Sequence, residues 1–139
     1  MKLTYGILVT FALLAVGLSM RTQRVKVRGQ LFCQSNPQHA ENVTVKLIDQ
    51  DDFLNPDDFM GETKTNREGM FELQGQEREL TSIDPQLRIF HNCNDGAILC
   101  MREWKLLIPN RYINGDVLDI GRINLDIIMD DEDRECWTK

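Results

Sequence analysis

Four cysteines and two histidines are the side chains here with the chemistry to act as ligands, nucleophiles or bases: Cys33, Cys93, Cys100 and Cys136, with His39 and His91. The spacing His91-x-Cys93-x6-Cys100 matches no strong zinc signature, so no resident metal is expected. A nucleophilic cysteine would need a base, and His91 shares the inward parity of Cys93, the placement of a structural histidine closing a strand end. No catalytic residue and no cofactor follow from these residues, and the chain is not expected to be an enzyme. The compartment then decides between thiol and disulfide. Lys2 precedes an apolar run from Ile7 to Leu18, broken by Thr10 and Gly17, with small residues at Ala15, Gly17 and Ser19. This is the layout of a cleavable secretory leader over residues 1–19, and the run is too short for a membrane span. The reading is a secreted chain, with a single domain over residues 20–139, no transmembrane anchor and four cysteines as disulfide partners.

Carboxylates form the second group. Asp49, Asp51, Asp52, Asp57 and Asp58 share one loop and are candidates for calcium, a hard cation that favours oxygen. The order of an EF-hand loop is missing, and the plainer reading is a solvated acidic loop. The cluster Asp130, Asp131, Glu132, Asp133 and Glu135 reads as a solvated terminus; Trp137 beyond it either inserts at a lipid interface or docks on a partner or, the plainer reading, packs back beside Cys136. Asn42-Val43-Thr44 is a glycosylation sequon whose outer residues point to solvent. Phe32, Phe90 and Leu107 fall on outward parity and offer part of a binding face, or a face covered by a loop or second subunit.

The formal charge is −6, one unit lower once Lys2 leaves with the leader. Such a protein has no general attraction for nucleic acid. It is also repelled by anionic membrane unless a local patch or a bridging cation reverses the sign.

Strand signals dominate the elements that must position these groups. From Arg24, Val25, Val27, Gly29, Leu31 and Cys33 share one parity, and Lys26, Arg28, Gln30 and Phe32 the other. A second strand carries Val43, Val45 and Leu47 inward. Phe59 to Thr65 leads through Asn66-Arg67-Glu68-Gly69, read as a hairpin with Gly69 left-handed, into Met70 to Gly75. Gln76 to Ser82 reads as a polar bridge. Gln86 to Cys93 and Arg102 to Ile108 follow, the latter with Trp104, Leu106 and Ile108 inward. In the last segment Leu118 and Ile120 fall on one parity and Ile123, Leu125 and Ile127 on the other, which predicts a bulge at Gly121. About seven short strands between turn signals predict an all-β, two-sheet antiparallel sandwich. If consecutive strands run up and down, all four cysteines meet at one pole. Proximity makes Cys93–Cys100 easy and leaves Cys33–Cys136, while the crossed alternatives stay open.

An ordered series of segments runs Gly29-Gln30-Leu31-Phe32-Cys33, Asn42-Val43-Thr44-Val45-Lys46-Leu47, Asp57-Asp58, Gly69-Met70-Phe71-Glu72-Leu73-Gln74-Gly75, Ile83-Asp84-Pro85 through His91-Asn92-Cys93, Cys100-Met101-Arg102, Ile108-Pro109 and Asp133-Arg134-Glu135-Cys136. This order and spacing resemble the transthyretin-like family of secreted nematode proteins. The resemblance implies a prealbumin-like sandwich with paired cysteines among the four positions. It also implies an extracellular protein without known catalysis. Some members are implicated in recognising phosphatidylserine on dying cells and bridging it to a receptor. The related 5-hydroxyisourate hydrolases end in Tyr-Arg-Gly-Ser, whereas this chain ends Glu135-Cys136-Trp137-Thr138-Lys139. The expectation is therefore a recognition or adaptor module for an extracellular ligand or receptor, with anionic phospholipid as one such partner. The alternative is a homo-oligomer carrying a small apolar ligand between its subunits.

Overall fold

The computed structural model describes residues 20–52, 54–96 and 99–136. The leader expected over residues 1–19, and Trp137, therefore lie outside the described residues. Those residues form two sheets. One has the order β4 (Met70–Glu79), β1 (Arg21–Phe32), β7 (Leu118–Asn124); the other has the order β3 (Asp58–Lys64), β2 (Thr44–Asp49), β5 (Pro85–His91), β6 (Met101–Leu107), β8 (Asp133–Glu135).

Alternating side chains of both sheets meet in one core. Val25, Val27 and Leu31 come from β1, Phe71 and Leu73 from β4, Val45 and Leu47 from β2, Leu87 and Ile89 from β5, and Trp104 from β6. Each such side chain, fully buried, contributes about 1.5–3 kcal/mol. The predicted alternation along β1 is therefore the inner and outer face of the three-stranded sheet.

The bulge falls where the parity shift placed it. The β1–β7 register slips between Arg28 and Gln30, opposite Gly121, whose φ is 71°. Without that slip Ile120 and Ile123 could not both face inward. Gly69 is left-handed with φ 74°, and an added Cβ there would collide with the Leu31 carbonyl.

Several expectations are corrected. The turn at residues 66–69 is not a hairpin: β3 belongs to one sheet and β4 to the other, because the Gly69 carbonyl accepts from the Leu31 N–H on β1. β1 and β7 pair in parallel, the exception among otherwise antiparallel ladders. β4 continues to Glu79 instead of ending at Gly75. The terminal acidic stretch is not merely solvated, since Asp133–Glu135 adds an edge strand to β6.

The cysteines do gather at one pole, but neighbours do not pair. The bonds are Cys33–Cys93, between the two sheets, and Cys100–Cys136. Cys93 keeps the inward parity of Leu87, Ile89 and His91, so its sulfur faces the opposite sheet and not its own turn. Cys100 lies one step beyond the pair Met101–Glu135, which sets it opposite Cys136 with the Cα atoms 4.3 Å apart. That is the spacing of a directly opposed antiparallel pair.

Candidate functional site

Three polar assemblies stand out on this scaffold. The first is buried at the disulfide pole. Arg102 is 1 % exposed and uses all five donors. Its Nε and Nη2 grip the two oxygens of Glu132 at 2.8 and 2.7 Å, and Nη1 donates to the carbonyls of Cys93 and Leu125 at 2.8 and 2.9 Å. Nη2 also donates to the Ile127 carbonyl. Trp104 Nε1 adds a bond to Glu132 at 3.0 Å. The guanidinium and these donors hold the Glu132 carboxyl down at about 2.

His91 lies beside this group. It is buried, meets Trp104 edge to face at 5.1 Å, and accepts the Cys93 N–H on Nδ1. That bond assigns the proton to Nε2, which has no partner. Burial, aided by the charge of Arg102, lowers its pKa to about 4; Glu132, Asp95 and Arg134 are the other charges that reach it. His39 is half-buried in the short 3-10 helix Pro37–Ala40 that follows β1, with Nε2 against Asn36 at 3.2 Å. Among the described residues, neither histidine is hydrogen-bonded to a nucleophilic side chain.

The two downward shifts set an acid response. The fold accepts neutral His91 and ionised Glu132, so the unfolded chain binds more protons on acidification. The His91 contribution is complete above its ordinary 6.5 and is lost as pH falls toward about 4. The Glu132 contribution is complete above 4.5 and is lost toward about 2. Urea denaturation of His91→Gln against the parent should show a stability gap that narrows by about 2–3 kcal/mol from pH 7 to pH 4. A gap that stays constant would contradict the assignment.

The second assembly occupies the opposite pole. Asp49 and Glu79 are inward residues at the ends of β2 and β4, and Asp51 follows β2. One carboxylate oxygen from each lies within 4.8 Å of the others. Asp49 is 1 % exposed; its Oδ1 accepts the Asp84 N–H at 2.8 Å and its Oδ2 receives no hydrogen bond. An orphaned buried acceptor costs about 1–3 kcal/mol. Burial raises the pKa of Asp49, and burial with the neighbouring Asp49 and Asp51 charges pushes Glu79 up to about 7. The five aspartates read as calcium candidates thus separate. Asp49 and Asp51 converge with Glu79, which sequence reading placed in a polar bridge. Asp58 lies opposite Asp49 in the β2–β3 register, Asp57 pairs with Arg88, and Asp52 is exposed.

The third assembly is a surface. Along the outer face of β4–β1–β7 stand Arg24, Lys26 and Arg28 on β1, Arg78 on β4 and Arg122 on β7, all exposed. Among the described strand residues, the carboxylates on that face are Glu72 and Asp119, the latter bound to Arg28 at 3.0 Å. Arg122 lies over the Phe32 ring, its guanidinium carbon 4.3 Å from the centroid. A groove of about 510 Å³ runs between Arg28, Gln30, Met70, Glu72, Asp119 and Arg122. The outer face of the five-stranded sheet differs: Lys46, Lys64, Arg88 and Lys105 interleave with Glu62, Glu103, Asp133 and Glu135. Charge is thus segregated on an acidic chain. Of the apolar residues expected to face outward, Phe32 is half-buried beneath Arg122, Phe90 is buried with Lys46 5.1 Å from its ring, and Leu107 is exposed. Asn42 is exposed at a turn with φ 58°.

The profile of the transthyretin-like family matches residues 28–109, from the middle of β1 through β6. The chain belongs to the transthyretin-like family. Among its relatives, transthyretin-like protein 5 of Caenorhabditis elegans is 43 % identical over 120 residues, covering 83 % of this chain and 85 % of that protein. Transthyretin-like protein 46 of the same nematode is 40 % identical over 130 residues, with 89 % and 72 % covered. Transthyretin-like protein 33 is 36 % identical over 132 residues, with 91 % of each chain covered. The match takes in the basic strand β1 from Arg28 onward, whereas Arg122 lies beyond the matched residues.

Proposed function

We propose that this chain is exported after loss of its leader, carries a glycan on Asn42, and acts outside the cell as a non-catalytic recognition module. Its ligand is an anionic cell surface, phosphatidylserine-bearing lipid foremost, which it presents to a receptor. The observation that carries this reading is the segregation of Arg24, Lys26, Arg28, Arg78 and Arg122 onto one sheet face of a protein whose formal charge is −6. A local patch of that sign overcomes the repulsion that the net charge would impose. Two disulfides suit an oxidising compartment, and family membership favours the same setting. The geometry at His39 and His91 favours binding over chemistry.

Vesicle flotation with the oxidised chain tests the reading. Binding to vesicles containing phosphatidylserine should exceed binding to phosphatidylcholine alone by at least tenfold, and should weaken as salt rises, because exposed charges are screened. Equal partition into both vesicle types would refute it.

A further inference from the structure

We infer that Asp49, Asp51 and Glu79 form a site for a hard divalent cation of the calcium class, at the pole opposite the disulfides. This rests on observations separate from the basic sheet face, and vesicle binding plays no part in it.

The two sheets each end an inward-facing series in a carboxylate. On β2 the series is Val45, Leu47, Asp49; on β4 it is Phe71, Leu73, Gly75, Glu77, Glu79. Closing the sandwich therefore drives Asp49 and Glu79 together, and Asp51 joins from the loop with its oxygen inside the same 4.8 Å. Like charges so close disfavour one another unless a cation or a proton intervenes. The orphan oxygen separates this group from an ordinary acidic loop. Asp49 Oδ2 is sealed from solvent and takes no hydrogen bond, Oδ1 is already bonded to the Asp84 N–H, and one oxygen of this carboxylate lies in the cluster. The neighbour able to lend this carboxylate a proton is Glu79, which hydrogen-bonds to Asp49 when protonated, and a cation in the cluster takes the place of that proton.

The donors select the ion. They are carboxylate oxygens, with neither imidazole nor thiolate among them, which disfavours zinc and copper and favours calcium or magnesium. Asp51 and Glu79 are half-buried, which leaves room for water to complete a shell of about 6–8 oxygens, as calcium prefers. Asp58 stands across the ladder from Asp49 and adds to the local negative charge.

Calorimetric titration of calcium chloride into the oxidised full chain tests the site, with the thermal midpoint as a second readout. The expected dissociation constant is about 10⁻⁴–10⁻³ M, the range of extracellular calcium modules, with a midpoint that rises with calcium. Asp51→Asn and Glu79→Gln should each weaken binding about tenfold or more, while Glu72→Gln, on the outer face of β4, should leave it unchanged. Asp51→Asn changes a half-exposed side chain and spares the Asp49–Asp84 bond, so it keeps the fold if Glu79→Gln does not. Absence of both heat and midpoint shift at ~5 mM calcium would overturn the site. So would binding that survives both substitutions undiminished.

Discussion

Replacing Arg102 with methionine is expected to lower stability by about 3–5 kcal/mol, a large part of what a domain this size has in total. Methionine fills the space of the side-chain stem but donates nothing. It leaves the Glu132 carboxylate without its bidentate partner and frees the carbonyls of Cys93, Leu125 and Ile127 in a site where Arg102 itself was 1 % exposed. Those groups come from the end of β5, the segment after β7 and the approach to β8, so one side chain joins three parts of the chain across both sheets. Removing Glu132 as well should recover only part of the loss, because the carbonyls and the Trp104 N–H stay unpaired. The thermal midpoint should fall by about 10–20 °C. A fall of less than about 3 °C would show that water or a rearranged tail replaces the guanidinium at little cost.

The second large effect concerns the bond between the sheets. Cys33→Ala with Cys93→Ala should cost about 4 kcal/mol, since that disulfide closes a loop with a sequence separation of 60. The bond joins the end of β1 to the end of β5 inside the core, where both cysteines are buried. Cys100→Ala with Cys136→Ala should cost less and act locally. Its loop has a separation of 36, and it fastens the three-residue edge strand β8. Denaturant midpoints of the two double variants should keep that order. In hydrogen exchange the second variant should free the amides of β8 while the centre of β1 stays protected. The reverse order would mean that the edge strand, and not the link between sheets, limits unfolding.

Much of the scaffold was legible because its signals are local. The alternation along β1, the left-handed turn at Gly69 and the parity shift at Gly121 each follow from residues within a few positions. Long-range partners were harder to read. Glu132 looked like one more charge in a solvated tail, and nothing beside it names Arg102, 30 residues earlier. A signal existed in Arg102 itself, which shares the inward parity of Trp104; an arginine on a core-facing position demands an acid and several carbonyls. Glu79 was missed for a similar reason. Its parity continues that of Phe71, Leu73 and Gly75, but the run of polar residues after Gly75 hid the end of β4. The crossover from β3 to β4 and the parallel pairing of β1 with β7 are choices among strand orders, on which an alternating pattern is silent. The disulfide partners depend on those choices, which is why adjacency along the chain misdirected them. The basic face was half legible: Arg24, Lys26 and Arg28 stood on one parity of β1, while Arg78 and Arg122 joined them only once β4 and β7 had flanked that strand.

The most direct test of recognition through this face compares two variants of equal charge. Arg28→Gln with Arg122→Gln removes two cations from β4–β1–β7, and Lys46→Gln with Lys105→Gln removes two from the five-stranded sheet. Affinity for phosphatidylserine vesicles is measured for both at one salt concentration. At about 1 kcal/mol per cation near an anionic surface, the first variant should lose about 30-fold in affinity and the second little. Equal losses in the two variants, or a loss confined to the second, would contradict the account.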